Sequence, residues 1–170
     1  MYSIRTFGDP VLRLRAREVT EIDGEFARVV DTMIETMYAA VGGGLAAPQV
    51  GIQQRFFTFV DDDEPDVLIN PEIVDSSGEM SYEEGCLSFP DLRFEIVRPE
   101  LVTVRGLDLD GDEVVFEAGD DYFGRMLQHE IDHLDGVLAI DRLDADARKA
   151  VLREIRRRDS LVTVPATDLR

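Results

Sequence analysis

The hydrophobic period of this chain changes from helical to alternating and back, and that change limits what it can fold into. After Asp23-Gly24, apolar residues fall at Phe26, Val29, Val30, Met33, Ile34, Met37 and Tyr38. This i, i+3, i+4, i+7 ladder predicts an amphipathic helix over residues 25–40. The glycine run at 42–44 is expected to stop it. Residues 54–60, 67–74, 93–98, 101–107 and 113–117 are short runs rich in β-branched and aromatic side chains, the composition of strands. Asp110-Gly111, between the last two, is a hairpin signal. Helical spacing returns over 121–134, with Gly136 as its stop. A last helix is expected from an Asp144 cap to about Arg158, burying Ala147, Val151 and Ile155. The expected fold is therefore α+β: antiparallel strands packed around the 121–134 helix, with N-terminal and C-terminal helices. The 170 residues fit one domain, 1–170, ending in a basic helix at about 144–158.

Composition narrows the function classes. Asp and Glu total 36 against 18 Lys and Arg, a formal charge of −18, so a DNA backbone would be repelled on average. The densest apolar stretch, around residues 37–52, is interrupted by Gly42, Gly43, Gly44 and Pro48 and falls short of a membrane span. The N-terminus has no signal-peptide pattern, and a cytoplasmic location is the expectation. One cysteine, Cys86, excludes an internal disulfide framework.

The only two histidines lie in Gln128-His129-Glu130-Ile131-Asp132-His133. Four residues apart on a helix, both imidazoles project from one face and can hold one ion. Glu130 sits at the edge of that face, within reach of a water on the ion, which is the H-E-x-x-H pattern of metal-dependent hydrolases. A catalytic metal commonly takes a third protein ligand. Cys86, in the turn-like Glu84-Gly85-Cys86-Leu87-Ser88, is one candidate. Glu154, 21 residues after His133 on the last helix, is the other and would make the chain a zinc peptidase.

Three segments together resemble the peptide deformylase family: Gly42 to Gln49 (GGGLAAPQ), Glu84 to Ser88 (EGCLS) and Gln128 to His133 (QHEIDH). Residues 8–13 and 133–136 fit as well, so the resemblance covers roughly residues 4–158. It implies removal of the N-formyl group from the initiator methionine of newly synthesised proteins, with release of formate. It also implies that Cys86, His129 and His133 bind the metal, usually Fe(II), with zinc, nickel or cobalt as substitutes. Glu130 would then be the general base, with the Gln49 side chain and Leu87 backbone N–H as oxyanion donors. Gly42, Gly43 and Gly44 would lie along the substrate, with the Gly44 backbone pairing to an extended peptide.

In one respect the chain departs from the family pattern. Gly43 stands where members generally carry an apolar side chain, so a more flexible loop and a shallower cleft wall are expected. Residues 148–158 hold Arg148, Lys149, Arg153, Arg156, Arg157 and Arg158 against one acid, Glu154. In the resembled family, a basic C-terminal helix of this kind implies contact with the ribosome.

Overall fold

The computed structural model describes residues 1–119 and 121–162, with the side chains of the last helix described as far as Arg158. Asp23 starts the first helix by accepting hydrogen bonds from the N–H groups of Glu25 and Phe26 at 2.9 and 2.8 Å. Helix α1 spans Gly24–Ala39 and buries Phe26, Val30, Met33 and Met37, as the ladder predicts. Its ending corrects the sequence expectation. Val41 N–H donates to Tyr38 C=O and Gly42 N–H to Met37 C=O, both at 3.0 Å. That is a Schellman ending, and its left-handed position is Val41, at φ +57°. The glycines are therefore not what turns the chain.

The strands are β1 (Gly44–Ala46), β2 (Phe56–Asp61), β3 (Glu64–Ser77), β4 (Met80–Gly85), β5 (Arg93–Arg98), β6 (Leu101–Leu107) and β7 (Glu113–Ala118). Five form an antiparallel sheet in the order β1-β2-β3-β6-β7, and β4 pairs with β5 separately. Asp62 and Asp63 join β2 to β3 with φ of +46° and +68°, the two left-handed positions of a tight hairpin turn. The predicted hairpin at Asp110-Gly111 joins β6 to β7, with Gly111 at φ +81°.

Helix α2 (Tyr122–Leu134) is capped by Asp121, which accepts from Gly124 N–H at 2.9 Å. Every residue from Gly124 to Leu134 is buried, so this helix runs through the middle of the molecule. Met126, Leu127, Ile131 and Leu134 pack on Phe57, Phe59, Leu68 and Val104 of the large sheet. On another side, Arg125 reaches the β4–β5 pair, donating to the carbonyls of Met80 and Ile96 and lying 4.9 Å from the Tyr82 ring centre. Helix α3 (Ala145–Val162) starts on Asp144, whose carboxylate accepts from Asp146 and Ala147 N–H. It runs past the expected end at Arg158. Ala147, Val151 and Ile155 are only half-buried, because the helix leans on the outside of a small cluster around Phe89, Phe94 and Ile140. The α+β class and the three helices agree with the sequence reading.

Candidate active site

Six polar residues lie on the buried stretch of α2, where a polar group left without a partner is costly. On α2, His129 and His133 lie one turn apart with ring centres separated by 5.0 Å. Cys86 follows β4 in the turn leading to β5, and its Sγ is 3.2 Å from His133 Nε2. The ligand atoms of Cys86, His129 and His133 all lie within 4.8 Å of one another. Metal bonds of about 2.0–2.3 Å around a tetrahedral ion set ligand separations of roughly 3.3–3.6 Å. Small side-chain rotations close that difference, so the donor set fits a divalent ion. Glu154 is not brought to the histidines: its carboxylate is held on the surface of α3 by Arg157 and Arg158 at 2.7–2.9 Å.

The orientation of His129 is set from behind. Its Nδ1 lies 3.0 Å from Glu84 Oε2. A carboxylate only accepts, so Nδ1 carries the proton and Nε2 is left with its lone pair for an ion. Glu84 is itself gripped by Arg98, whose Nε and Nη2 donate to the two carboxylate oxygens at 2.6 and 2.9 Å. Arg98 Nη1 also donates to Asp132 on α2 at 2.8 Å, and Arg142 closes the chain onto the same Asp132. Burial works to raise the Glu84 carboxyl, but hydrogen bonds from His129 and Arg98 hold it down at about 2. Burial pushes His133 well below the usual imidazole range and keeps it neutral, the form a metal ligand requires. Burial acts the same way on His129, yet the Cys86 sulfur and Glu84 override it and favour positive charge there. Surroundings that favour a proton also favour a cation.

Glu130 faces the opposite condition. Burial lifts its carboxyl to about 7 against the pull of His129 and Arg98, and its Oε2 is buried with no hydrogen-bond partner. A Cβ at Gly44 would lie 2.6 Å from Glu130 Oε1, so the glycine is needed for space, not for its dihedral angles. Gln49 is fixed at both ends of its amide: Oε1 accepts from Ala46 N–H at 2.8 Å and Nε2 donates to the buried Ser88 Oγ at 3.1 Å. The same Nε2 stands 3.9 Å from Cys86 Sγ. Leu87 N–H has no acceptor among the described residues. Gly42 abuts Leu87, where a Cβ would meet Cδ1 at 2.8 Å. Strand β1, which begins at Gly44, is the edge of the large sheet and, among the described residues, pairs only with β2. The structure thus gathers Cys86, His129, His133, Glu130, Gln49, Leu87, Gly42 and Gly44 around one end of α2.

This arrangement has relatives. A family model described as polypeptide deformylase matches residues 1–149. The chain belongs to the polypeptide deformylase family. A curated peptide deformylase of Thermotoga neapolitana is 51% identical over 155 residues, covering 91% of this chain and 93% of that protein. The crystal structure of peptide deformylase from Legionella pneumophila superposes with a TM-score of 0.88 at 37% identity, covering 97% of this chain and 99% of that one. A Synechococcus elongatus peptide deformylase, solved in complex with actinonin, gives a TM-score of 0.85 at 38% identity over 90% of this chain and 85% of that chain. Family members are metal-dependent, in keeping with the Cys-His-His cluster of this deformylase-family chain.

Two parts of the site escaped the sequence reading. The buried network of Glu84, Arg98, Asp132 and Arg142 has no spacing signature, because its members come from four separate segments. An arginine in the buried phase of an alternating strand, as Arg98 is in β5, is the only hint of a buried cation. The second is Tyr122. Its hydroxyl occupies the place of a side chain at residue 43: a Cβ on Gly43 would lie 2.2 Å from it. The wall at this position is therefore not merely shallower, as expected from Gly43 alone, but rebuilt from α2.

Proposed function

We propose that this chain is a metal-dependent hydrolase that removes the N-formyl group from formylmethionine at the start of newly synthesised proteins, releasing formate. The observation that carries this reading is the convergence of Cys86, His129, His133 and Glu130 beside an open strand edge. Cys86 Sγ and the Nε2 atoms of His129 and His133 would hold the ion. A divalent ion bound there supplies Lewis acidity and makes hydroxide accessible at neutral pH.

The chain's own groups do the rest. A peptide laid along the free edge of β1 adds a strand and brings its N-terminus to Glu130. Glu130 Oε2, buried and unpartnered, takes a proton from water as its oxygen adds to the formyl carbon. The oxyanion so formed meets the Gln49 amide, which Ala46 and Ser88 hold, and the Leu87 N–H. The C–N bond then breaks, and Glu130 returns the proton to the leaving amine. Gln49 suits this role because its NH2 donates at any pH. The crowding of Gly42 and Gly44 against Leu87 and Glu130 leaves room for a formyl carbon, which bears only hydrogen, and disfavours larger acyl groups.

The finer assignments follow from the same reading. Fe(II) is the native ion, with zinc, nickel or cobalt able to replace it. The substrates are N-formylmethionyl nascent peptides, met in the cytoplasm. The chain acts as one domain over 1–170, and α3 contacts the ribosome through Lys149, Arg153 and Arg156. No described helix is long and apolar enough to cross a membrane. Formate release from formyl-Met peptides by anaerobically purified protein tests the core of this reading. Glu130→Gln should abolish turnover while metal content is retained, and Cys86→Ala should lose the metal. An Fe(II)-loaded protein with Glu130 intact and no formate release would overturn it. Actinonin, which the Synechococcus elongatus relative holds, is expected to compete with the peptide.

A further inference from the structure

Residues 5–13 supply no group to the chemistry above, yet their backbone reaches two of the segments that do. Arg5 N–H donates to Gln49 C=O at 2.6 Å, and Phe7 N–H donates to Ser88 C=O at 2.9 Å. Gln49 and Ser88 meet again through their side chains, Nε2 to Oγ at 3.1 Å. A hydrogen-bonded ring thus closes through three distant parts of the chain. Its footing is Gly8 to Arg13. The Phe7 ring stacks on Phe89 with centres 5.1 Å apart. Asp9 N–H donates back to Thr6 C=O at 3.1 Å, and its carboxylate accepts from Val11 N–H at 3.0 Å to start a 3₁₀ turn, Pro10–Arg13. Leu12 of that turn is 1% exposed and lies in the same cluster as Phe89. Gln53 Nε2 donates to Val11 C=O at 3.0 Å, which ties the turn to the chain just after Gln49.

What the ring sets is a spacing. The two oxyanion donors are the Gln49 side chain and the N–H of Leu87, the residue before Ser88. Such donors work because they stand in place before charge develops, and a displacement of about 1 Å costs roughly 100-fold in rate. The side-chain bond from Gln49 to Ser88 leaves both main chains free to slide. Arg5 and Phe7 remove that freedom by gripping the two main-chain carbonyls from one short segment.

We propose that Arg5 and Phe7 are positioning residues, whose backbone N–H groups hold Gln49 and Leu87 at the spacing the transition state requires. The proposal rests on the deformylase reading and adds the element that sets its oxyanion donors. Replacing Phe7 by phenyllactic acid, through amber suppression, exchanges the N–H for an ester oxygen and keeps the side chain. For a formyl-Met-Ala-Ser peptide, kcat should fall about tenfold, with KM within about twofold of the wild type and metal content unchanged. Ala27 supplies the control, since its N–H donates to Asp23 C=O at 2.9 Å in the first turn of α1. Its replacement by lactic acid removes a bond of the same length, should lower Tm by a similar amount, about 2–4 °C, and should leave kcat unchanged. Phe7→Leu keeps the N–H and should keep kcat. In a Gln49→Ala background the Phe7 ester should cost no further kcat, because the spacing then has no second donor to serve. A kcat loss no larger than that of the Ala27 control, an equal loss in Phe7→Leu, or losses that add fully in the Gln49→Ala background would overturn the positioning role alone. No hydrolysis of any formyl peptide by the wild type would overturn the deformylase reading and the positioning role with it.

Discussion

Glu84 and Glu154 carry the same carboxyl group, and in each case hydrogen bonds from two side chains hold it down at about 2. Their surroundings make them different objects. Glu84 is the buried residue of β4 and meets His129 of α2, with Arg98 only 3% exposed beside it. Glu154 lies on the outer surface of α3, where its arginines are screened by water. The depressed pKa is thus no guide to importance. A buried ion pair commits neighbouring segments to one geometry, since none of its members can be left alone, whereas an exposed pair exchanges one solvated state for another.

Substitutions at the two sites should separate sharply. Arg98→Met strands the charges of Glu84 and Asp132 in the interior and should cost about 3–5 kcal/mol, seen as a large loss in thermal or urea midpoint. A variant as stable as the wild type would show that water reaches the network. Glu84→Gln is milder. The amide oxygen still accepts from His129, but the charge behind the imidazole is gone, so metal affinity should fall roughly 10- to 100-fold in a chelator competition while the fold persists. At the rim, Val41→Gly relieves a β-branched side chain of a left-handed conformation and should stabilise by about 1 kcal/mol, raising Tm by roughly 2–4 °C. Glu154→Gln should have the smallest effect of all, with unchanged metal content and no resolvable shift in Tm. Loss of metal in that variant would restore the zinc-peptidase alternative.

The same contrast between interior and rim explains what could be read from the sequence. Helices α1 and α2 were legible because apolar periodicity records burial directly. The cysteine and histidines of the candidate metal site were legible because ligand chemistry admits few residue types. Strand β4 was not: only Glu84 of its six residues is buried, so MSYEEG shows no alternation. Strand β1 is three residues long, too short for any pattern. The stop of α1 was misassigned to glycine because the left-handed position, Val41, is held by two backbone hydrogen bonds against its own preference. Arg98 and Tyr122 were invisible for another reason. Their roles depend on partners far away in the chain, and no local spacing records such an encounter.

Cys86 has one more consequence. It is the chain's only sulfhydryl, and it is only partly buried. A single alkylating reagent therefore labels one atom per molecule, at the very point where an ion would sit. The rate of that labelling becomes a built-in gauge of occupancy: fast in stripped protein, slow in loaded protein, and readable by mass without any substrate.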